Sequence, residues 1–280
     1  ELSEDSKTVL KLISDSTASL GVRGTYSAEV MHELGIKNAR IIGCPTAFRN
    51  NRPDLAIRLP ALDSISQVGV TLRREVSKHY AKDIKRYLTF HRDLVKAMAD
   101  RFEVTLMSQG EVEEKKLALG SAQQKQEGMA ALRENGWAMA WYLDEQMEGL
   151  YRDRMFYSDV VAGYEQLVRK LDLVLGYRLH GNLMALANGT PSIYFTYDSR
   201  TVEFAETFQI PSVDVFGDKP FRLEEYWDQA LFDRFNAAYA RTYGAMSAFL
   251  SENKVDHKMA KAAAAAPSAP PAPEPERKVA

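Results

Sequence analysis

The 280-residue chain holds a single cysteine, Cys44, which excludes an internal disulfide framework and any cysteine-rich zinc site. It has no apolar run approaching the ~18 residues of a membrane span, and no signal-peptide pattern at its start. Net charge is nearly absent as well. Thirty-six Lys and Arg against 38 Asp and Glu leave −2, whereas a nucleic-acid binder normally shows a basic patch or stripe. Histidines number five, and no His, Asp or Glu spacing resembles a metal site. The first residue is Glu1 rather than Met, which reads as a processed or trimmed piece. What is there, 45% hydrophobic and 26% charged residues, is the composition of an ordinary globular protein long enough for about two domains.

Along the chain, Val9, Leu10, Leu12 and Ile13 give residues 6–16 an amphipathic helical pattern. Residues 20–24 read as a short strand and turn. Residues 26–34 read as a helix with Thr25 as N-cap and Gly35 as C-cap. Residues 39–42 are a further strand, and 50–60, with Pro53 and Pro60, read as a linker. This strand–helix–strand texture is too short for a full doubly wound sheet, so a whole domain of this type would need more chain before residue 1.

The pattern restarts at residue 66. A strand at 68–72 delivers Arg73 and Arg74 to its carboxyl end, and a helix follows over 75–101. His91 falls on the apolar stripe of that helix and reads as a satisfied core histidine; Lys78 and His79 lie off the stripe. Strands are expected at 104–107, 136–142, 171–175, 192–197 and 213–216, alternating with helices at 115–135, 158–170, 183–188 and 201–208. That alternation indicates an α/β domain with a mostly parallel sheet. A helical, aromatic-rich run at 223–250 and an alanine- and proline-rich tail from 262, expected to be disordered, complete the chain.

One stretch organises the rest: Gly176-Tyr177-Arg178-Leu179-His180-Gly181-Asn182, where an apolar strand hands over to a helix. Ligands of open α/β sheets sit at that carboxyl end, and the first N–H groups of a helix favour an anion. Arg178 brings a permanent charge suited to phosphate or carboxylate. His180 brings a group able to exchange a proton near neutral pH. The plainer alternative is a structural ion pair for Arg178 and a helix cap for His180.

With these residues in view, the chain resembles the polysaccharide pyruvyl transferase family. Val22-Arg23-Gly24-Thr25-Tyr26-Ser27, then Leu34-Gly35-Ile36 and Ile42-Gly43-Cys44-Pro45, look like its first-domain signature. Residues 68–73 resemble the strand that opens its second domain. The Gly176–Asn182 block, followed by Asp198-Ser199-Arg200-Thr201 and Glu203, looks like its most specific motif. The family's Gly-rich N-terminal strand and loop are absent. The resemblance implies two Rossmann-like α/β domains arranged as in the GT-B glycosyltransferases, the first incomplete at its N-terminal side. Residues 1–66 would be that partial domain with a linker, 67–252 the second domain with the donor site, and 253–280 the tail.

The activity implied is transfer of pyruvate from phosphoenolpyruvate to two hydroxyls of a surface or capsular glycan, giving a cyclic ketal and phosphate. No nicotinamide, flavin or other cofactor is expected. Such a site needs cationic groups for phosphate and carboxylate, here Arg73 (preferred to Arg74) and Arg178, and a proton donor, here His180. His180 as an imidazolium contact to phosphate is the alternative role. Gly181 permits close backbone approach. Asn182 either donates to a phosphate oxygen or caps the helix. Arg23 is an acceptor-contact candidate, with an ion pair to Glu29 or Glu33 as the plainer reading. Asp198, Arg200 and Glu203 stand at the cleft edge, either as contacts or as an internal brace. Cys44 reads as a small buried hydrophobe. The expected partners are phosphoenolpyruvate and a glycan or lipid-linked saccharide, with no nucleic acid, in the cytoplasm and in some settings at the inner face of the membrane. Two rivals stand: a nucleotide-sugar glycosyltransferase using Glu203 or Glu206 on a ribose, and a non-catalytic module that binds anionic glycan.

Overall fold

The computed structural model describes residues 2–74, 81–134 and 139–259. It is a mixed α/β structure with two parallel sheets. The smaller pairs β1 (Leu20–Val22) with β2 (Ala39–Ile41), joined by the helix Thr25–Glu33. The larger is built from β3 (Gln67–Thr71), β4 (Glu103–Met107), β5 (Met155–Phe156), β6 (Leu173–Gly176), β7 (Ser192–Thr196) and β8 (Ser212–Asp214). Its spatial order is β5-β4-β3-β6-β7-β8, with every neighbouring pair parallel. Two three-strand halves therefore wind outward from the β3–β6 pair, which is the Rossmann order with its switch point between those strands. The central strands β6 and β7 are buried at every position. Helices cover both faces of a parallel sheet, so such strands read as unbroken apolar runs rather than alternating ones.

Several expectations are corrected. Residues 139–142 form a short helix, not a strand, and the strand beside β4 is Met155–Phe156. The helix expected at 115–135 is two helices, Val112–Leu119 and Ala122–Glu134, separated at Gly120. The helix after β6 begins at Leu179, four residues earlier than its apolar spacing suggests. Residues 50–60 have no regular structure yet are no solvated linker. Leu55 and Ile57 are buried, and Ile57 N–H donates to Asn236 Oδ1 at 2.7 Å. Helix Thr25–Glu33 has Gly24, not Thr25, at its N-cap. Ile84–Ala99 is helical and buries Tyr87, His91 and Val95 as the stripe predicts. The part of that expectation at 75–80, with Lys78 and His79, and the tail from 262, lie outside the described residues.

The long helix Gln229–Glu252 returns to the front of the chain. Arg40 pairs with Glu252 at 2.6 Å, and Asn253 Nδ2 donates to the Ser19 carbonyl at 3.1 Å. Phe48, in the 3-10 turn Pro45–Phe48, packs its ring 6.0 Å from Phe208, 5.6 Å from Tyr239 and 5.7 Å from Tyr243. One apolar core thus runs from Ile42 and Phe48 through the large sheet to Tyr243. The first helix, Glu4–Ser16, stands apart from it. It buries no residue and leaves Val9, Leu12 and Ile13 exposed.

Candidate active site

At the switch point, the crevice is bounded by the chain leaving β3, β4, β6 and β7. Gly176 closes β6 at φ +130°, where a Cβ would lie 2.5 Å from the Thr71 carbonyl oxygen. Only glycine tolerates both the dihedral and the approach. The next two residues are tied to β3, with Tyr177 N–H donating to the Thr71 carbonyl at 3.0 Å and Arg178 N–H to Thr71 Oγ1 at 3.1 Å. Arg178 then occupies the N-cap position of the helix Leu179–Ala187.

Arg178 is already engaged. Its Nε donates to the Leu72 carbonyl at 2.8 Å, and its Nη2 forms a close ion pair with Glu111, a carboxylate only 7% exposed. Arg74 is likewise internal, 5% exposed and facing Glu113 at 3.4 Å and Glu114 at 3.6 Å. Arg73 differs. Its Nε, like that of Arg74, is buried with no hydrogen-bond partner among the described residues, but no carboxylate pairs with Arg73 among them, and its guanidinium carbon stands 5.7 Å from the centroid of the Tyr197 ring. Burial raises the Tyr197 phenol above its usual pKa, while Arg73, and less strongly Arg200 and Arg178, pull it back. The three arginines therefore share the field around that ring, at the carboxyl ends of β3, β6 and β7.

His180, in the first turn of its helix, is exposed and lines a cavity of about 600 Å³. Pro45, Thr46 and Arg49 form one wall of it, and Gln109, Tyr157 and Tyr164 another. Behind that wall, Cys44 is buried beside His180. Burial pushes its thiol up, but the His180 imidazole and the Thr46 backbone and hydroxyl favour the thiolate more strongly, so it titrates below its ordinary value. A second groove of about 660 Å³ lies between the helix Ile84–Ala99 and residues 220–224. It is lined by none of the candidate residues.

The remaining candidates are placed as follows. Asn182 is fully buried. Its Nδ2 donates to the carbonyls of Gly176 and Arg178, both at 3.0 Å, and its Oδ1 accepts from Ser192 Oγ at 3.0 Å. It bolts the helix to β6 and β7 from beneath and faces no cavity. Gly181 permits close approach of protein rather than ligand: a Cβ there would meet Thr71 Cγ2 at 2.8 Å and Gln109 Nε2 at 3.0 Å. Asp198 caps the helix Ser199–Phe208, accepting from Thr201 N–H at 2.8 Å, and pairs with Arg200 at 2.7 Å. Glu203, 8% exposed, reaches across to accept the Ser27 N–H at 2.8 Å. It thereby caps the helix Thr25–Glu33, whose own N-cap is a glycine. Arg23 is exposed, with its guanidinium 5.9 Å from the Phe204 ring centroid.

Sequence reasoning missed Glu111, Gln109 and Tyr197. Each follows a strand of the large sheet closely, and strand-end position was the signal that could have found them. Among the described residues no group of three His, Cys, Asp or Glu side chains could hold a metal ion, and no helix is long and apolar enough to cross a membrane.

A family model described as polysaccharide pyruvyl transferase matches residues 2–199. Comparison with curated proteins finds no match. Among solved structures, the glycosyltransferase SnogD from Streptomyces nogalater is similar at 13% identity and a TM-score of 0.33. That match covers 79% of this chain and 56% of SnogD, so the chain spans little more than half the length of that structure. A likeness so slight carries no argument about function.

Proposed function

Because this chain belongs to the polysaccharide pyruvyl transferase family, we propose that it builds a cyclic pyruvate ketal on a glycan, using phosphoenolpyruvate and releasing phosphate. The observation that carries the reading is Arg73. A guanidinium at the end of a central strand, with a buried Nε that has no hydrogen-bond partner and no paired carboxylate among the described residues, is a cation held ready for an anion. Phosphoenolpyruvate brings two anionic groups in a small volume. Arg73 meets one of them through a charge-assisted hydrogen bond. Arg178, held by Leu72 and Glu111, forms part of the crevice wall with its charge balanced by that carboxylate.

In the reaction, C3 of the enol gains a proton while a sugar hydroxyl oxygen bonds to C2 and gives up its own proton, which the departing phosphate can take. The C2–O bond to phosphate then breaks, phosphate departs with that electron pair, and the second hydroxyl closes the ring with loss of its proton. His180, which lines the cavity of about 600 Å³ that neither Arg73 nor Arg178 borders, is the proton donor to C3 in this reading, a role worth ~10²–10⁴ in rate. The polar and aromatic walls around Tyr157, Tyr164 and Arg49 suit a sugar acceptor. A lipid-linked saccharide at the cytoplasmic face of a membrane belongs to the same proposal. The nucleotide-sugar alternative draws less support, since Glu203, one of the two acids it calls on to hold a ribose, is committed to Ser27, leaving Glu206 alone for that role.

The test is calorimetric binding of phosphoenolpyruvate to the chain and to Arg73→Ala and His180→Ala. Binding that survives in His180→Ala and is lost in Arg73→Ala supports the reading. Binding of a nucleotide sugar in place of phosphoenolpyruvate overturns it.

A further inference from the structure

Arg73 lies just beyond the last ladder bond of its strand, the donation from Leu72 N–H to the Met107 carbonyl at 2.9 Å. Its own backbone groups are held by side chains instead. The Arg73 N–H donates to His91 Nε2 at 3.3 Å, and the Arg73 carbonyl accepts from the Tyr87 hydroxyl at 2.7 Å. Both side chains come from the helix Ile84–Ala99 and both are fully buried. With Nε2 accepting, the imidazole proton sits on Nδ1, where it is donated to the Tyr142 hydroxyl at 2.8 Å. That hydroxyl lies 3.0 Å from the Tyr151 hydroxyl.

We infer that His91, in the Nδ1-protonated tautomer that the Arg73 N–H selects and the Tyr142 hydroxyl accommodates, is a positioning residue for Arg73. The opposite tautomer would set an imidazole N–H against the Arg73 N–H, donor against donor, and the strand end would have to turn away. The guanidinium follows its backbone, so the direction in which Arg73 presents its charge is set from behind by this buried chain. Burial, with the charges of Arg74 and Arg178, drives the His91 pKa down to about 3. The ring therefore stays neutral and Nε2 stays an acceptor through the ordinary pH range. The functional consequence, though not the geometry, rests on Arg73 serving as the anion contact proposed above.

The experiment reads the Arg73 Nε–Hε cross-peak in side-chain nitrogen NMR, assigned by its disappearance in Arg73→Lys, alongside phosphoenolpyruvate affinity. Tyr142→Phe removes one oxygen and keeps the ring, so a moved peak reports geometry rather than a lost ring current. The peak is expected to move in Tyr142→Phe and His91→Phe, and to stay near its native position in Tyr151→Phe. It should return part of the way in His91→Gln, whose amide oxygen can accept the Arg73 N–H. Affinity should fall roughly tenfold to a hundredfold in the first two variants, the scale expected of a small misplacement. An unmoved peak in both Tyr142→Phe and His91→Phe overturns the inference, and native phosphoenolpyruvate binding in that case leaves the donor site standing. A moved peak in a protein that binds no phosphoenolpyruvate upholds the brace and overturns the donor reading.

Discussion

Asn182→Leu separates a structural from a ligand-binding role for the middle of the organising motif. Leucine keeps the branched shape of asparagine but is larger, so the substitution removes the hydrogen bonds without opening a cavity and adds some overpacking at this fully buried position. Asn182 Nδ2 serves the Gly176 and Arg178 carbonyls at 3.0 Å and Thr71 Oγ1 at 3.3 Å, and Oδ1 serves Ser192 Oγ at 3.0 Å. Two of these partners keep other donors. The Arg178 carbonyl still accepts the residue 182 N–H, and Thr71 Oγ1 still accepts the Arg178 N–H. The Ser192 hydroxyl, fully buried, has no other hydrogen bond among the described residues, and the Gly176 carbonyl loses a donor. Lost bonds at about 1 kcal/mol each, with a stranded hydroxyl at about 1–3 kcal/mol, give a destabilisation of roughly 3–5 kcal/mol. At roughly 2–4 °C per kcal/mol for a chain of this size class, the melting temperature should fall by about 10 °C. Urea denaturation should show the same loss, and adding Ser192→Ala should restore part of it, because the stranded hydroxyl is then gone. A loss below about 1 kcal/mol with phosphoenolpyruvate binding abolished would refute the reasoning and make Asn182 a ligand contact.

Glu203→Ala should cost about 1–2 kcal/mol and raise hydrogen exchange selectively in the helix Thr25–Glu33; unchanged protection there would show that the cap is ornamental. His91 supplies a pH dependence. Its native pKa of about 3 lies below the ordinary 6.5, so the unfolded chain binds the extra proton, and stability declines as pH falls from about 6.5 toward 3. Between pH 7 and pH 5 this group removes on the order of 2 kcal/mol, and a His91→Phe profile as steep as the native one would contradict that. Tyr177→Phe deletes a buried hydroxyl that has no partner among the described residues, so its melting temperature should match or exceed the native value; a clear drop would reveal a hydrogen bond to that oxygen.

The parallel sheet was legible because a central strand such as Leu173–Gly176 is buried on both faces and so reads as an unbroken apolar run. Strand β5 was not, since Met155–Phe156 is two residues long and half-buried, too short for any periodicity to register. At the candidate site, strand-end reasoning predicted the positions of Arg73 and Arg178 just beyond β3 and β6 and of His180 in the helix that follows. It could not say that Arg178 pairs with Glu111, 67 residues away, because the choice between an internal carboxylate and an external anion is made by tertiary packing. Asn182 was ambiguous for the same reason, as its Oδ1 partner, Ser192, comes from the next strand. The capping role of Glu203 was hidden by a separation of 176 residues from Ser27.

The ties between the chain's two ends also set the order in which it can be completed. Ser19 waits for Asn253 and Arg40 for Glu252, sequence separations of 234 and 212 residues. At ~5–20 residues per second, a ribosome takes roughly 10–50 s to travel from one partner to the other. For that interval β1 and β2 exist without the helix that covers them, while strands of the large sheet are already emerging with close neighbours in sequence. The front of the protein is therefore expected to dock last, its folding rate governed by closing loops of more than 200 residues.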